Sequence, residues 1–375
     1  MTRAISVLQL GIGQVGGAVV RVLARQAPRW LADYGVDVRY HALGDSTAFV
    51  AAGEGSGRSV CGLAPDQLSR LLAARTTGQQ LASLPEAIPW AAWERVLDGA
   101  LGSAGVPEDL VVLDCASGHA MTPLLLAART SGTHVVLANK DPLTSSLAQY
   151  HALAGGDARG SLRMSATVGA GLPVVATLRA LVASGDSLIE LGAQASGSLS
   201  FICAALSTGV PFDAAVRQAA AHGYTEPDPR QDLSGFDVAR KLLILARSAG
   251  AAMELSDVRV ESLVPPGAQE LSPADFADAL SAYSGHLAGR TAQARAGGRV
   301  LRYVARIDAH GALSASLEDL RPDDPLAQGQ GPDNLFILRT TRYDTHPLVI
   351  AGPGAGIDVT AGAVVADLLR VVGVA

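Results

Sequence analysis

The residues of this chain whose types and spacing could do chemistry gather in one stretch, Gly223 to Gly250, GYTEPDPRQDLSGFDVARKLLILARSAG. Glu226, Asp228, Asp232 and Asp237 precede a single lysine, Lys241, which leads into the apolar run Leu242-Leu243-Ile244-Leu245. Asp237 and Lys241 are four apart, so on a helix they share a face. A helix apolar around most of its circumference is buried, and that carries Lys241 toward the interior, where charges are rarely left without purpose. A lysine there with an aspartate one turn earlier is suited to general acid and base work. The plain alternative is a helix start, with Ser234-Gly-Phe-Asp237 as a capping box and an ordinary ion pair. Upstream, the prolines of Glu226-Pro-Asp-Pro229 fix φ and remove donors. Such a stiff segment can hold carboxylates where an ammonium group would be recognised, or it is a rigid surface loop. Asp228 has no assignable role.

A second set of residues has the types needed to hold a nucleotide. Gly11, Gly13 and Gly16, with Gln14 and Val15 between them, form G-x-G-x-x-G after a strand-like run and before a helix. In that setting the first glycine makes the turn, the second lets a pyrophosphate approach the backbone, and the third allows close packing of helix on strand. Asp45 follows the second strand, where an acid holds a ribose 2′-hydroxyl and leans the cofactor toward NAD rather than NADP; the alternative is a turn aspartate. Asn139-Lys140 closes another strand, on the carboxyl edge where open α/β sheets bind ligands. His119 and His222 could line a cleft, or serve structural or solvent-facing roles.

The elements that must position these groups read as strands at 4–10, 36–43, 110–114 and 134–138, alternating with helices at 18–25 and 122–130. Residues 65–110 read as helices joined by loops, with Trp90 and Trp93 packing. Alternation of strand and helix predicts a doubly wound parallel sheet of Rossmann type. After about residue 145 the texture changes to a glycine-rich loop, 165–173, a helix over 174–184 and strand-like runs at 187–193, 258–264, 300–307 and 313–317. These predict an inserted α+β domain with a mixed sheet. Two more strand-like runs, 333–339 and 348–350, precede Gly352-Pro-Gly-Ala-Gly356, which opens a final helix. The expected organisation is a dinucleotide-binding domain over 1–145, a catalytic and dimerisation domain over 146–332, and a segment over 333–375 that returns to the first.

Composition excludes several classes. With 375 residues, 49% hydrophobic and 17% charged, the chain can bury a sizeable core and is neither disordered nor fibrous. A net charge of −6 gives no basic field for nucleic acid or an anionic membrane. No apolar run approaches a membrane span of roughly 20 residues. The three cysteines, Cys61, Cys115 and Cys203, are odd in number and lack metal spacing, which suits a reduced, cytoplasmic chain.

Six segments carry a family resemblance: GIGQVGG at 11–17, HVVLANK at 134–140, ATVGAGLPV at 166–174, SGSLSFI at 196–202, the 223–247 block and GPGAGIDVTAGAVVADLLR at 352–370. In this order they resemble the homoserine dehydrogenase family, most of all the dehydrogenase half of bifunctional aspartate kinase–homoserine dehydrogenases. The resemblance implies reversible NAD(P)-dependent interconversion of L-aspartate 4-semialdehyde and L-homoserine, on the route to threonine and methionine, by a cytoplasmic homodimer. Carried over, Lys241 donates a proton to the aldehyde oxygen, Asp237 stands beside it, and Lys140 is the second active-site lysine. Glu226 and Asp232 hold the substrate, with Gly197, Ser198 and Tyr224 beside them, while Asn139, Lys140 and Gly356 contact the cofactor. The backbone carbonyls of Val168, Ala170 and Leu172 hold a monovalent cation in relatives.

The sequence departs from the family in places. Ser165 stands where relatives carry an acid at the cation loop, Asp114-Cys115-Ala116 lacks the family threonine, and Gly192-Ala-Gln-Ala195 replaces a more apolar run. The expectation is therefore a homoserine dehydrogenase of the catalytic-core-only type. The rivals are a same-fold dehydrogenase for another amino-acid aldehyde or oxo acid, and a non-catalytic dinucleotide-binding sensor.

Overall fold

A computed structural model describes residues 2–53, 62–104, 109–155, 160–329 and 331–374. Cys61 lies outside them. The chain divides into two compact units, Met1–Gly171 with Gly356–Ala375, and Leu172–Ala355.

The first unit opens with β1 (Arg3–Leu10), α1 (Gln14–Tyr34) and β2 (Val36–Gly44), followed by β3 (Ala48–Ala51), α2 (Pro65–Thr76), β4 (Ile88–Pro89) and α3 (Trp93–Ala104). Then come β5 (Leu110–Asp114), α4 (Thr122–Thr130), β6 (His134–Leu137), α5 (Asp141–Thr144), α6 (Leu147–Ala154) and β7 (Leu162–Arg163). The sheet order is β4-β3-β2-β1-β5-β6-β7. From β2 to β7 every pairing is parallel, while β3 and β4 add an antiparallel edge. Chain order reverses between β1 and β5, and such a reversal opens a crevice at the carboxyl ends of the strands. Ile5, Val7, Val111, Leu113 and Val136 are fully buried, as expected of a sheet covered on both faces.

The second unit carries α7 (Val174–Ala183), β8 (Leu188–Gln194), α8 (Gly197–Ser207), α9 (Phe212–Ala221), α10 (Arg230–Leu233), α11 (Phe236–Ser248), β9 (Val258–Val260) and α12 (Pro273–Ala296). It continues with β10 (Val300–Ile307), β11 (Leu313–Leu320), β12 (Asn334–Thr340) and β13 (Leu348–Gly352). Its sheet, β13-β12-β8-β10-β11-β9, is antiparallel except for the parallel pair β11–β9, and so is mixed. The last helix, α13 (Ile357–Val371), belongs to the first unit, where Val364 and Leu368 join its core.

The parallel sheet and the mixed sheet agree with the fold class read from sequence. The reading of residues 65–110 as helices and loops alone overlooked β4, and β3 just before that span was overlooked as well. Strands of two to four residues at a sheet edge are too short to carry a period. Among the described residues no helix is long and apolar enough to cross a membrane.

Candidate active site

In the first unit a cleft of about 850 Å³ runs along the carboxyl ends of β1, β2 and β5, lined in part by Gly11, Gly13, Asp45, Arg75, Ser117 and Asn139. The glycines divide their work as the motif requires. Gly11 sits at φ +84°, and a Cβ there would stand 2.6 Å from Ala116 N. A Cβ on Gly16 would collide with the Gly11 carbonyl, whereas around Gly13 there is open space. The backbone is therefore tight on the protein side and bare on the cleft side. With Gly13 as N-cap and no acid in its first turn, α1 turns unneutralised N–H groups toward the start of that loop, the arrangement that favours an anion.

Beneath the loop lies a group that motif reading did not single out. Gln9 Nε2 donates to the carbonyls of Gly11 (3.0 Å) and Gly16 (2.9 Å), and Gln9 Oε1 accepts from Tyr40 Oη at 2.8 Å. Burial pushes the Tyr40 phenol well up, so it remains a donor. The available signal was an amide inside the otherwise apolar strand RAISVLQL, because a polar side chain in a buried strand must be satisfied internally.

The opposite wall is tied together through Asp114, which ends β5 and is fully buried. Its carboxylate accepts from Ala116 N (3.0 Å) and Asn139 Nδ2 (3.1 Å). Asn139 also donates to Gly118 O (2.9 Å), its Oδ1 accepts from Asp141 N (3.1 Å), and Asp141 Oδ2 accepts from Gly118 N at 2.6 Å. Burial raises the Asp114 pKa to about 6 against these bonds, with Asp141 adding to the rise. Asn139 thus lines the cleft in a fixed orientation, and Lys140 follows it at the N-cap of α5, half-buried. His119 meets Ser145 Oγ at the exposed rim, 3.2 Å away.

Asp45 is 3% exposed. Its Oδ1 accepts from Thr47 N (2.7 Å), Thr47 Oγ1 (2.6 Å) and Ala48 N (3.1 Å), and its Oδ2 accepts from Leu81 N (2.9 Å). Burial acts to raise its pKa, but the bonds from Thr47, Leu81 and Ala48 outweigh it, and the carboxylate is held below its usual range. Trp90 packs edge-on to Phe49 with centroids 4.5 Å apart, and both Trp90 and Trp93 line the cleft.

In the second unit the start of α8, the loop before α10, α10 itself and the first turns of α11 carry the sequence-predicted residues Gly197, Ser198, Tyr224, Glu226, Asp232, Asp237 and Lys241. Lys241 Nζ donates to Ala195 O at 2.7 Å and pairs with Asp237 Oδ2 at 2.8 Å, with its side chain 13% exposed. An ammonium carries three N–H donors, so among the described residues one is left for a ligand. Ser196 caps α8, and its Oγ lies 2.9 Å from Ser198 Oγ, which donates to Asp232 Oδ1 at 2.7 Å. Asp232 Oδ2 accepts from Glu226 N at 2.8 Å. The Glu226 side chain is exposed and, among the described residues, has no protein partner. Gly197 fits because a Cβ there would be 2.7 Å from Pro332 O. Tyr224 stacks on His222 (5.5 Å) and stands edge-on to Phe201 (5.2 Å).

The capping box that is the plain alternative at Ser234–Asp237 does not form. Gly235, at φ +74°, is the N-cap of α11, and Ser234 Oγ donates to Gln231 O. A separate short helix, α10, ends just before, and right-handed Ser234 and left-handed Gly235 join the two. Asp228, which carried no role in the sequence, receives Arg230 Nε at 2.9 Å, while Arg230 Nη1 holds the carbonyls of Gln269 and Leu271 at 3.0 and 2.7 Å. The acidic loop is fastened through that arginine.

Ser165 is joined to α13, its N–H and Oγ donating to the two oxygens of the buried Asp367 at 2.8 and 2.9 Å. Arg370 Nη1 is 3.1 Å from the same carboxylate. Just beyond, Gly169 and Ala170 both have positive φ, +77° and +52°. Neither Ser165 nor the already occupied Asp367 offers a free charge to a cation. Among the described residues no group of three or more His, Cys, Asp or Glu could hold a metal ion.

The model of homoserine dehydrogenase matches residues 173–369, and that of the homoserine dehydrogenase NAD binding domain matches residues 11–161. A bifunctional aspartokinase/homoserine dehydrogenase 2 of Escherichia coli is 43% identical over 265 residues, covering 70% of this chain and 33% of that protein. The chain spans about a third of the length of the curated relatives it matches. Among solved structures, a Candida auris protein of unknown function superposes with TM-score 0.82 at 29% identity, covering 99% of this chain and 98% of that one. A hyperthermophilic archaeal homoserine dehydrogenase in complex with NADPH superposes with TM-score 0.70 at 22% identity, covering 98% of each. With both of its units matched in this way, the chain belongs to the homoserine dehydrogenase family, whose members are NAD(P)-dependent oxidoreductases.

Proposed function

We propose that this chain catalyses the reversible reduction of L-aspartate 4-semialdehyde to L-homoserine with NAD(P)H. The observation that carries the reading is Lys241, pinned by Ala195 O and Asp237 with one N–H unspent among the described residues, together with the Ser198–Asp232 pair and Glu226, whose side chain has no partner among those residues. The cleft of the first unit suits a dinucleotide: the bare backbone at Gly13 and the N-terminus of α1 suit a pyrophosphate. When bound, the nicotinamide supplies a hydride, two electrons and one hydrogen, to the aldehyde carbon.

Lys241 donates a proton to the aldehyde oxygen as negative charge builds there, then regains one from solvent. Asp237 pairs with the ammonium and keeps it aimed. Lys140, in the first unit, is assigned the role of the second active-site lysine, as the family resemblance implies. Glu226 and Asp232 receive the substrate's own ammonium, Ser198 holds Asp232 in place, and Gly197 and Tyr224 border that pocket. Gln14, Val15, Asn139 and Gly356 complete the nucleotide contacts, and α13 keeps the 165–171 loop in place. The free thiols of Cys115 and Cys203 suit a reducing, cytoplasmic setting, and a homodimer is the assembly that the family resemblance implies.

Absorbance of NADPH and NADH followed with aspartate 4-semialdehyde tests the reading. General acid catalysis contributes roughly 10²- to 10⁴-fold, so Lys241→Ala is expected to lose that much in kcat while nucleotide binding persists. Turnover with a different amino-acid aldehyde alone, or nucleotide binding with no turnover of any, would replace it.

A further inference from the structure

We propose that His222 is a positioning residue: with Phe201 and Tyr224 it completes an aromatic cluster that seats the acidic loop over 224–232 on α8, and so sets the affinity for the amino-acid substrate. This rests on the reading that Glu226 and Asp232 hold the ammonium of that substrate, and it goes beyond it by naming what holds them in place.

The chain builds this cluster at a helix end. His222 is the C-cap of α9, and Gly223 follows it at φ +71°, with open space where a Cβ would stand. Gly223 N donates to Ala220 O and Tyr224 N to Ala219 O, both at 2.9 Å, the pair of bonds that closes a helix on a left-handed glycine. That reversal sets the side chains of His222 and Tyr224 side by side, with ring centroids 5.5 Å apart and planes 16° from parallel. His222 Nδ1 lies 2.7 Å from Gln218 O. A carbonyl only accepts, so Nδ1 carries the hydrogen and ties the imidazole to the last turn of α9. Phe201 of α8 meets both rings, His222 at 5.6 Å and Tyr224 at 5.2 Å.

Along the chain the cluster is flanked by the two donors that hold Asp232. Phe201 lies three residues after Ser198 on α8, so the two share a helix face, and Ser198 donates to Asp232 Oδ1 at 2.7 Å. Tyr224 lies two residues before Glu226, whose N–H donates to Asp232 Oδ2 at 2.8 Å. The ring contacts therefore fix the start of the loop against the helix that supplies Ser198, while Arg230 fastens its other end to the carbonyls of Gln269 and Leu271. His222 and Tyr224 are exposed and Phe201 is half-buried. The cluster thus adds little to the core of the unit, and its consequence falls on the loop.

The test is steady-state kinetics of the full chain with aspartate 4-semialdehyde and NADPH, with His222→Ala and His222→Phe alongside, together with amide hydrogen exchange over 224–232 in the absence of substrate. An aromatic pair corresponds to roughly 2- to 12-fold in an equilibrium constant, and His222→Ala removes two. That variant is expected to raise KM for the semialdehyde by roughly 5- to 20-fold, with kcat and NADPH affinity within about twofold of wild type, and to speed exchange in the loop by a similar factor. His222→Phe keeps a ring and gives up the bond to Gln218, and it is expected to return both readouts most of the way to wild type. Unchanged KM or unchanged exchange in His222→Ala would overturn the proposal. A loss confined to kcat would do the same, as would a His222→Phe variant as impaired as His222→Ala. If exchange responds as expected but the wild-type chain does not turn over the semialdehyde, the substrate reading falls and the seating of the loop stands.

Discussion

Replacing Asp114 with asparagine tests how the floor of the nucleotide cleft is held, because the size of the effect follows from burial. The carboxylate is fully excluded from solvent, and its pKa rises from 3.8 to about 6, first through desolvation and then through Asp141. A folded-state pKa above the unfolded one means that the fold binds this proton more tightly. The stability Asp114 contributes is therefore complete below about pH 3.8 and is lost as pH rises through about 6. At about 1.4 kcal/mol per pKa unit the full loss is roughly 3 kcal/mol, of which about 2 kcal/mol falls between pH 4.5 and 7.5. Asparagine cannot ionise, so the variant lacks this term, while every other titrating group cancels in the difference between the two proteins. The substitution also turns an amide toward Asn139 Nδ2, but that offset does not vary with pH. All three tryptophans, Trp30, Trp90 and Trp93, lie in the first unit, so their fluorescence during denaturant unfolding reports the right part of the molecule. The expected result is that Asp114→Asn gains about 2 kcal/mol relative to the wild-type chain from pH 4.5 to 7.5. A difference that stays flat would refute the buried-carboxylate reasoning. A fall would mean that the bonds from Ala116 and Asn139 outweigh desolvation.

Two further outcomes follow from the geometry. Gly16→Ala places a methyl group against the Gly11 carbonyl, so the loop must open; NADPH affinity is expected to fall by roughly tenfold or more, read by titration, and unchanged affinity would show that the close approach does not matter. Ser198→Ala removes the donor that holds Asp232 Oδ1. Discounted for partial exposure, that bond corresponds to roughly a 5- to 20-fold rise in KM for the amino-acid substrate, with kcat and nucleotide affinity nearly constant; a loss confined to kcat would contradict a role in substrate holding.

The sequence by itself determined the alternation of elements in the first unit, the glycine-rich turn and the pairing of Asp237 with Lys241, because each is local. A strand followed by glycines followed by a helix leaves the backbone few alternatives, and residues four apart on a helix must meet. It also placed Lys241 near the interior, since the apolar run that follows has to be covered. What the neighbours of a side chain are doing was out of its reach. Asp45 stands where a ribose ligand is expected, and Leu81 N, thirty-six residues away, already donates to one of its oxygens. Ser234 and Asp237 have capping-box spacing, but the short α10 before them leaves Gly235 to start α11. Gln9, Asp228 and Asp367 carry no motif and acquire their work from Tyr40, Arg230 and Ser165. A hydrogen-bonding group is free for a ligand only if no other part of the chain has claimed it, and those claims come from residues distant in sequence, so only the tertiary structure decides them.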